Sequence, residues 1–98
     1  MRYLTATLLL LAAQAGAQTT DPQRATAACV AEIKQRLKDP ESARIKPFMS
    51  VVVKGQWFVS IDVNAKNSFG AYQGERRWWC DLELGTFKVK KVVSDPNG

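Results

Sequence analysis

Two periods of hydrophobic residues divide the chain. In residues 22–38 the apolar positions recur every four residues, at Cys29, Ile33 and Leu37. That spacing places them on one face of an α-helix, with charged residues on the other face. Asp21 and Pro22 stand where a helix cap and a first helical residue belong. The pattern therefore predicts an N-terminal helix that ends near Lys38 and buries one face.

After residue 44 the period changes to two. Across residues 56–64 the apolar residues Trp57, Val59, Ile61 and Val63 alternate with Phe58, Ser60 and Asp62. Alternation of this kind is typical of a strand with one buried face. Segments of similar composition at residues 45–53, 75–84 and 87–93 predict three more strands. The Asp39-Pro40 pair, a cap residue followed by proline, predicts one short helical turn before the strands. Residues 94–98 have the composition of a loose tail.

Short turns separate two pairs of these strands. Lys54-Gly55 lies between the first two segments and Gly85-Thr86 between the last two. Connections this short join antiparallel neighbours. We therefore expect an α+β fold, in which one N-terminal helix packs on a four-stranded antiparallel meander sheet.

The first 17 residues have the pattern of a secretory signal peptide. Arg2 precedes an apolar run over residues 4–13, and Ala15-Gly16-Ala17 supplies small residues for the cleavage site. Cleavage there leaves residues 18–98 as a single small domain. Gln18 stands where a lipoprotein would have its cysteine, and the apolar run is too short for a membrane span. We expect a periplasmic or secreted protein without stable membrane insertion.

Both cysteines fall in the exported part of the chain. Cys29 and Cys80 lie 51 residues apart, and an even cysteine count in an exported domain predicts a structural disulfide. A redox pair is the alternative, but it lacks the Cys-x-x-Cys spacing and any histidine to lower a thiol pKa. If Cys80 faces the helix, the two-residue period puts Trp78 and Leu82 on the core face and Trp79 on the outer face.

Charge adds little to this interpretation. The formal charge of +5 falls by one when Arg2 is removed, and such a mild excess is typical of an ordinary solvated surface. The Arg76-Arg77-Trp78-Trp79 segment has the residue types of a polyanion site. Neighbouring strand residues point to opposite faces, however, so only one arginine and one tryptophan can share a surface. We expect no nucleic-acid partner, and binding to anionic envelope polymers stays open as an alternative.

The residues for enzymatic chemistry are few. The chain has no histidine and two cysteines, so the commonest general base is absent and we expect no metal site and no cofactor. A carboxylate pair, Asp62 with Asp81 or Glu75, could act as acid and base in a small hydrolase. This hydrolase is a third hypothesis, and we expect a protein that is not an enzyme.

The segment between the second and third strands carries the most distinctive composition. Residues 64–74, the 64–74 loop, combine asparagines, a lysine, glycines and aromatic residues, as shaped binding surfaces do. We predict that the partner is bound by Asn64, Lys66, Asn67 and Tyr72. We predict that the loop is shaped by Phe69, Gly70 and Gly74. The alternative is a wide turn held by asparagine side chains, with Phe69 or Tyr72 folded onto the core.

Two segments carry a resemblance to known proteins. Leu37-Lys38-Asp39-Pro40-Glu41-Ser42-Ala43 and the Val63-Asn64-Ala65-Lys66-Asn67-Ser68-Phe69-Gly70-Ala71-Tyr72 stretch resemble small exported bacterial and phage-associated proteins of unknown function. Those proteins usually have glycine where this chain has Ala71, and often a cysteine near Ser60. The resemblance implies the domain and the loop but no reaction. The marked positions are Asp39, Pro40, Ser42, Asn64, Lys66, Asn67, Gly70, Tyr72 and Gly74.

Taken together, these patterns predict an exported, non-enzymatic binding domain. Its partner is an unknown protein or envelope component, and the 64–74 loop is the predicted contact surface.

Overall fold

The computed structural model describes residues 20–95. It contains one α-helix, α1 (Asp21–Lys34), a 3₁₀ turn (Pro40–Ser42) and four strands. The strands are β1 (Arg44–Val53), β2 (Gln56–Asn64), β3 (Arg76–Glu83) and β4 (Val89–Ser94). The signal peptide predicted for residues 1–17 lies outside the described residues.

The four strands form one antiparallel sheet in the order β1-β2-β3-β4. Helix α1 packs on one face of this sheet, so the predicted α+β meander is confirmed. The predicted bounds of β2 are those observed. Its core-facing residues Trp57, Val59, Ile61 and Val63 are all buried, and Ser60 is the one buried residue among those between them. Within residues 20–95, no helix is both long and apolar enough to cross a membrane.

The helix begins at Asp21, one residue earlier than predicted. Thr20, not Asp21, is the N-cap: its hydroxyl accepts from the backbone N–H of Gln23 at 3.3 Å, while the Gln23 side chain accepts from the Thr20 N–H at 2.9 Å. This reciprocal pair is a capping box, which leaves Asp21 free to place its charge in the first turn.

The helix also ends earlier than predicted, at Lys34 instead of Lys38. The next backbone amides no longer make α-helical hydrogen bonds. Arg36 N–H donates to the carbonyl of Ile33 at 2.9 Å, and Leu37 N–H donates to the carbonyl of Lys34 at 3.3 Å. These are i to i−3 bonds, which tighten the last turn. Leu37 still packs against the core from this turn, so its helical spacing was misleading about its secondary structure but correct about its burial.

The core lies between α1 and the sheet. Its helix residues are Ala25, Cys29 and Ile33, and its sheet residues are Trp57, Val59, Ile61, Val63, Cys80 and Leu82. The predicted Cys29–Cys80 disulfide is present, and both cysteines are fully buried. Trp78 packs against this core while Trp79 lies with Phe58 on the outer face, so the predicted division of faces in β3 is confirmed.

The last strand begins and ends later than predicted. Phe87 adopts a positive φ of 60° instead of the extended backbone, and its ring stacks on Trp57 with 6.2 Å between centroids. Strand β4 therefore starts at Val89. At its other end Ser94 pairs with Trp78, and Asp95 N–H donates to the Arg77 carbonyl at 2.8 Å. Residues 94 and 95 are thus held by the sheet and not part of a loose tail.

Candidate functional site

The 64–74 loop is closed at its base by hydrogen bonds between its two ends. The side-chain oxygen of Asn64 accepts from the backbone N–H of Gly74 at 3.1 Å. Lys66 and Tyr72 form an isolated antiparallel bridge one step further out. The loop is therefore a continuation of the β2–β3 hairpin, narrowed by backbone pairing.

Asn67 organises the tip of the loop. Its side-chain oxygen accepts from the N–H groups of Phe69 and Ala71, at 2.9 and 3.2 Å. Its backbone pairs with Ala71 and Gly70 as well. Gly70 has a φ of +81°, a conformation that glycine adopts without steric cost. The five residues 67–71 form one compact turn, as expected of an asparagine that bonds to nearby backbone.

Tyr72 attaches the loop to the 3₁₀ turn. Its hydroxyl donates to the carbonyl of Ser42 at 3.0 Å, and the Ser42 hydroxyl accepts from the N–H of Lys66 at 3.0 Å. The guanidinium of Arg44 lies 3.9 Å from the centre of the Tyr72 ring, and the Lys66 ammonium lies 5.4 Å from it. Two cations on one ring and two hydrogen bonds to Ser42 hold the loop against the body of the domain.

The structure divides the predicted roles within the loop differently from the sequence analysis. The side-chain oxygens of Asn64, Asn67 and Tyr72 are hydrogen-bonded within the domain. Phe69, predicted to shape the loop, is 94% exposed, so it does not fold onto the core. Sequence reasoning therefore missed that Phe69 is exposed. The sequence did contain a signal for this exposure, since Phe69 lies between Asn67 and Gly70. A turn closed by asparagine and glycine points its middle residues outward.

A cleft of about 450 Å³ lies beside the loop. It is bounded by the turn after α1, by the loop and by the adjoining ends of β2 and β3. Its basic lining residues are Arg36, Lys38, Lys66 and Arg76. Its apolar walls include Leu37, Val63, Ala65 and Trp78. Among the described residues that line it there is no carboxylate.

The carboxylates of the hydrolase hypothesis lie on the outer sheet face, away from this cleft. Asp62 receives two hydrogen bonds from the Arg77 guanidinium, at 2.7 and 3.0 Å, and Glu75 pairs with Lys46 at 2.8 Å. Asp81 is four residues along β3 from Arg77, about 13 Å at the strand rise. The two catalytic carboxyl groups of glycoside hydrolases are about 5 to 9.5 Å apart. Asp62 and Asp81 are therefore too far apart to form such a pair.

The Asp62–Arg77 pair makes stability depend on pH. The hydrogen bond from Arg77 holds the pKa of Asp62 below its ordinary value, although partial burial opposes this. A carboxyl whose pKa is lowered by folding stabilises the protein above its unfolded pKa of about 3.9. That contribution is lost as the pH falls through the lower pKa of the folded state.

We therefore expect the free energy of unfolding to fall between about pH 5 and pH 2, and to fall less steeply in an Asp62→Asn variant. Urea unfolding of both proteins at intervals across this range, at fixed ionic strength, measures the difference. Identical pH slopes in the two proteins would contradict a stabilising role for this ion pair.

No group of three or more Cys, Asp and Glu within residues 20–95 could hold a metal ion. Comparison of the chain with protein-family models, with curated protein sequences and with solved structures gives no match.

Proposed function

We propose that this protein is an exported, non-enzymatic binding module, and that its partner contacts the 64–74 loop with Phe69 as the principal anchor. The observation that carries the proposal is the 94% exposure of Phe69 on a loop that internal hydrogen bonds hold in one shape. The partner is a protein or another component of the cell envelope or the extracellular space. The Cys29–Cys80 disulfide supports an oxidising location of this kind.

A preformed loop is an economical binding surface. Ordering a loop on binding costs conformational entropy, and this loop is already ordered by Asn64, Asn67 and Tyr72. Burying a phenylalanine that is exposed beforehand contributes about 2 kcal/mol. Aromatic anchors at the centre of an interface supply much of its binding energy. Phe69 thus has the exposure and the rigid support that such an anchor needs.

Site-specific photo-crosslinking in the native cells tests the proposal. A photoreactive phenylalanine replaces Phe69 in one version of the protein and Leu84 in another. Leu84 is a suitable control because it is also an exposed apolar residue, 53% exposed, and lies just after β3, at the opposite end of the sheet from the loop. After irradiation, the captured material is identified by mass spectrometry.

We expect one partner to be captured from position 69 and not from position 84. A further pair of proteins carries the photoreactive residue in place of Ser68, one with Phe69 and one with Phe69→Ser. The Phe69→Ser change should reduce capture of the same partner at least fivefold. Equal capture from positions 69 and 84, or capture that is insensitive to Phe69→Ser, would refute the loop as the contact surface.

A further inference from the structure

The basic cleft beside the loop has features that the loop alone does not explain. Lys38 and Arg76 come from separate parts of the chain, the turn after α1 and the start of β3, and both line the cleft. Within residues 20–95 neither has a carboxylate partner. Among the described residues, the Lys66 ammonium contacts the face of the Tyr72 ring and no carboxylate. The cleft therefore presents positive charge that the described part of the chain leaves uncompensated.

Part of this charge has an ordinary structural explanation. Arg36 and Lys38 follow the C-terminus of α1, where cations offset the helix dipole, and Arg36 is also bonded to Glu32 at 3.1 Å. The helix dipole does not account for Lys66 in the loop or Arg76 at the start of β3. Three elements of the fold therefore supply cations to one cleft. The Lys66 ammonium also lies over the Tyr72 ring, but neither the helix dipole nor this ring contact accounts for Arg76.

Apolar surface separates these cations. Leu37 and Trp78, both half-buried, form part of the cleft wall, and the exposed Phe69 stands at its edge. A tryptophan face beside arginine and lysine suits a ligand that carries both an apolar group and negative charge. A site for a lone phosphate would instead bring several donors to one point and would gain nothing from the apolar wall.

We propose that this cleft binds an acidic segment of the partner protein, with its carboxylates near Lys38, Lys66 and Arg76 and an apolar side chain against Trp78 and Leu37. This assignment rests on the proposed function, since it names the chemistry of the partner that contacts Phe69. A volume of about 450 Å³ is within the range of about 300 to 1,000 Å³ that is typical of ligand pockets. A peptide also supplies carboxylates at intervals, which matches cations spread over three elements.

A peptide titration of the purified, oxidised protein tests the assignment. The probe is a capped hexapeptide that alternates glutamate with leucine, and its control contains glutamine in place of glutamate. Backbone amide NMR shifts report the affinity and the location. A third ligand, a sulfated oligosaccharide of equal charge, represents an anionic polymer.

Two double variants separate the cleft from general charge. Lys38→Gln with Arg76→Gln removes two cations from the cleft. Lys54→Gln with Lys90→Gln removes the same charge from the exposed surface outside it. We expect the acidic peptide to bind about tenfold more weakly to the first variant, the loss expected for two partly screened ion pairs. Binding to the second variant should stay within twofold of the unchanged protein, and the glutamine peptide should bind at least tenfold more weakly than the acidic one.

Equal losses in the two double variants would overturn the assignment, and so would an acidic peptide that does not bind. Tighter binding of the oligosaccharide, lost in Lys38→Gln with Arg76→Gln, would make the cleft a polymer site. Capture from position 69 that persists without peptide binding would leave the proposed function in place and refute the cleft. Peptide binding at the cleft without capture from position 69 would refute the loop as the contact surface and leave the cleft as a binding site for acidic segments.

Discussion

Replacing Cys29 and Cys80 together with alanine is expected to lower the free energy of unfolding by about 4 kcal/mol. The disulfide joins residues 51 positions apart, and closing a loop of that length removes about this much conformational freedom from the unfolded chain. A domain of this size is stabilised by only about 4 to 12 kcal/mol in total. The double variant should therefore be close to unfolding under conditions in which the unchanged protein is fully folded.

Urea unfolding monitored by tryptophan fluorescence measures this loss. The unchanged protein, treated with a reductant under denaturing conditions and kept reduced, serves as the matched control. Its unfolding midpoint should fall close to that of the double variant, because both lack the same cross-link. A decrease below about 1 kcal/mol would mean that the cross-link hardly limits the unfolded chain.

A Trp57→Ala variant is expected to lose about 3 to 5 kcal/mol of stability. Trp57 is 7% exposed and lies in the core. Its ring stacks on Phe87, and the guanidinium of Arg24 lies 4.7 Å from the centre of the Phe87 ring. Removing the indole would leave a cavity and would also deprive Phe87 of its stacking partner. The contact between β2, the turn before β4 and the first turn of α1 would then loosen.

Urea unfolding followed by far-ultraviolet circular dichroism suits this variant, because the substitution removes one of the three tryptophans. Leu84→Ala is the control, since Leu84 is exposed and should change stability by less than about 0.5 kcal/mol. Trp57→Phe should fall between the two, because it keeps a ring that can stack. Comparable losses for Trp57→Ala and Leu84→Ala would contradict the central packing role of Trp57.

The sheet could be predicted from the sequence because its signals are local and consistent. The alternation of apolar and polar residues over 56–64 defines β2, since its apolar residues Trp57, Val59, Ile61 and Val63 are all buried on one face. The turn at Lys54-Gly55 was visible because glycine and a small polar segment separate two β-rich runs. The disulfide then fixed which face of β3 meets the helix.

The errors arose where a local signal competed with another or with tertiary contacts. The Thr20-x-x-Gln23 capping box was present in the sequence and outweighed the simpler Asp21-Pro22 signal. The late start of β4 could not be predicted, because Phe87 combines a positive φ with a tertiary contact to Trp57, and neither leaves a signal in the local sequence. Leu37 kept its helical spacing after the helix had ended, so periodicity alone placed the end of α1 too late.

The 64–74 loop could be recognised from the sequence, but the roles of its side chains could not. The composition of the 64–74 loop identified it as a shaped surface, yet composition does not distinguish side chains that build a loop from those that it presents. Asn67 and Tyr72 bond within the domain, and Phe69 faces solvent. The basic cleft was not predicted at all, because Lys38, Lys66 and Arg76 are far apart in sequence and meet only through the fold.

The central claim is that the domain holds the 64–74 loop rigid with Phe69 facing solvent before any partner binds. Backbone amide relaxation of the free, oxidised protein tests this most directly, at Phe69, Ala71 and Gly74. The hydrogen bonds to Asn67 and Asn64 predict order parameters near those of β2, about 0.85. Values below about 0.6 at these three amides would show a flexible loop, and would contradict a preformed binding surface.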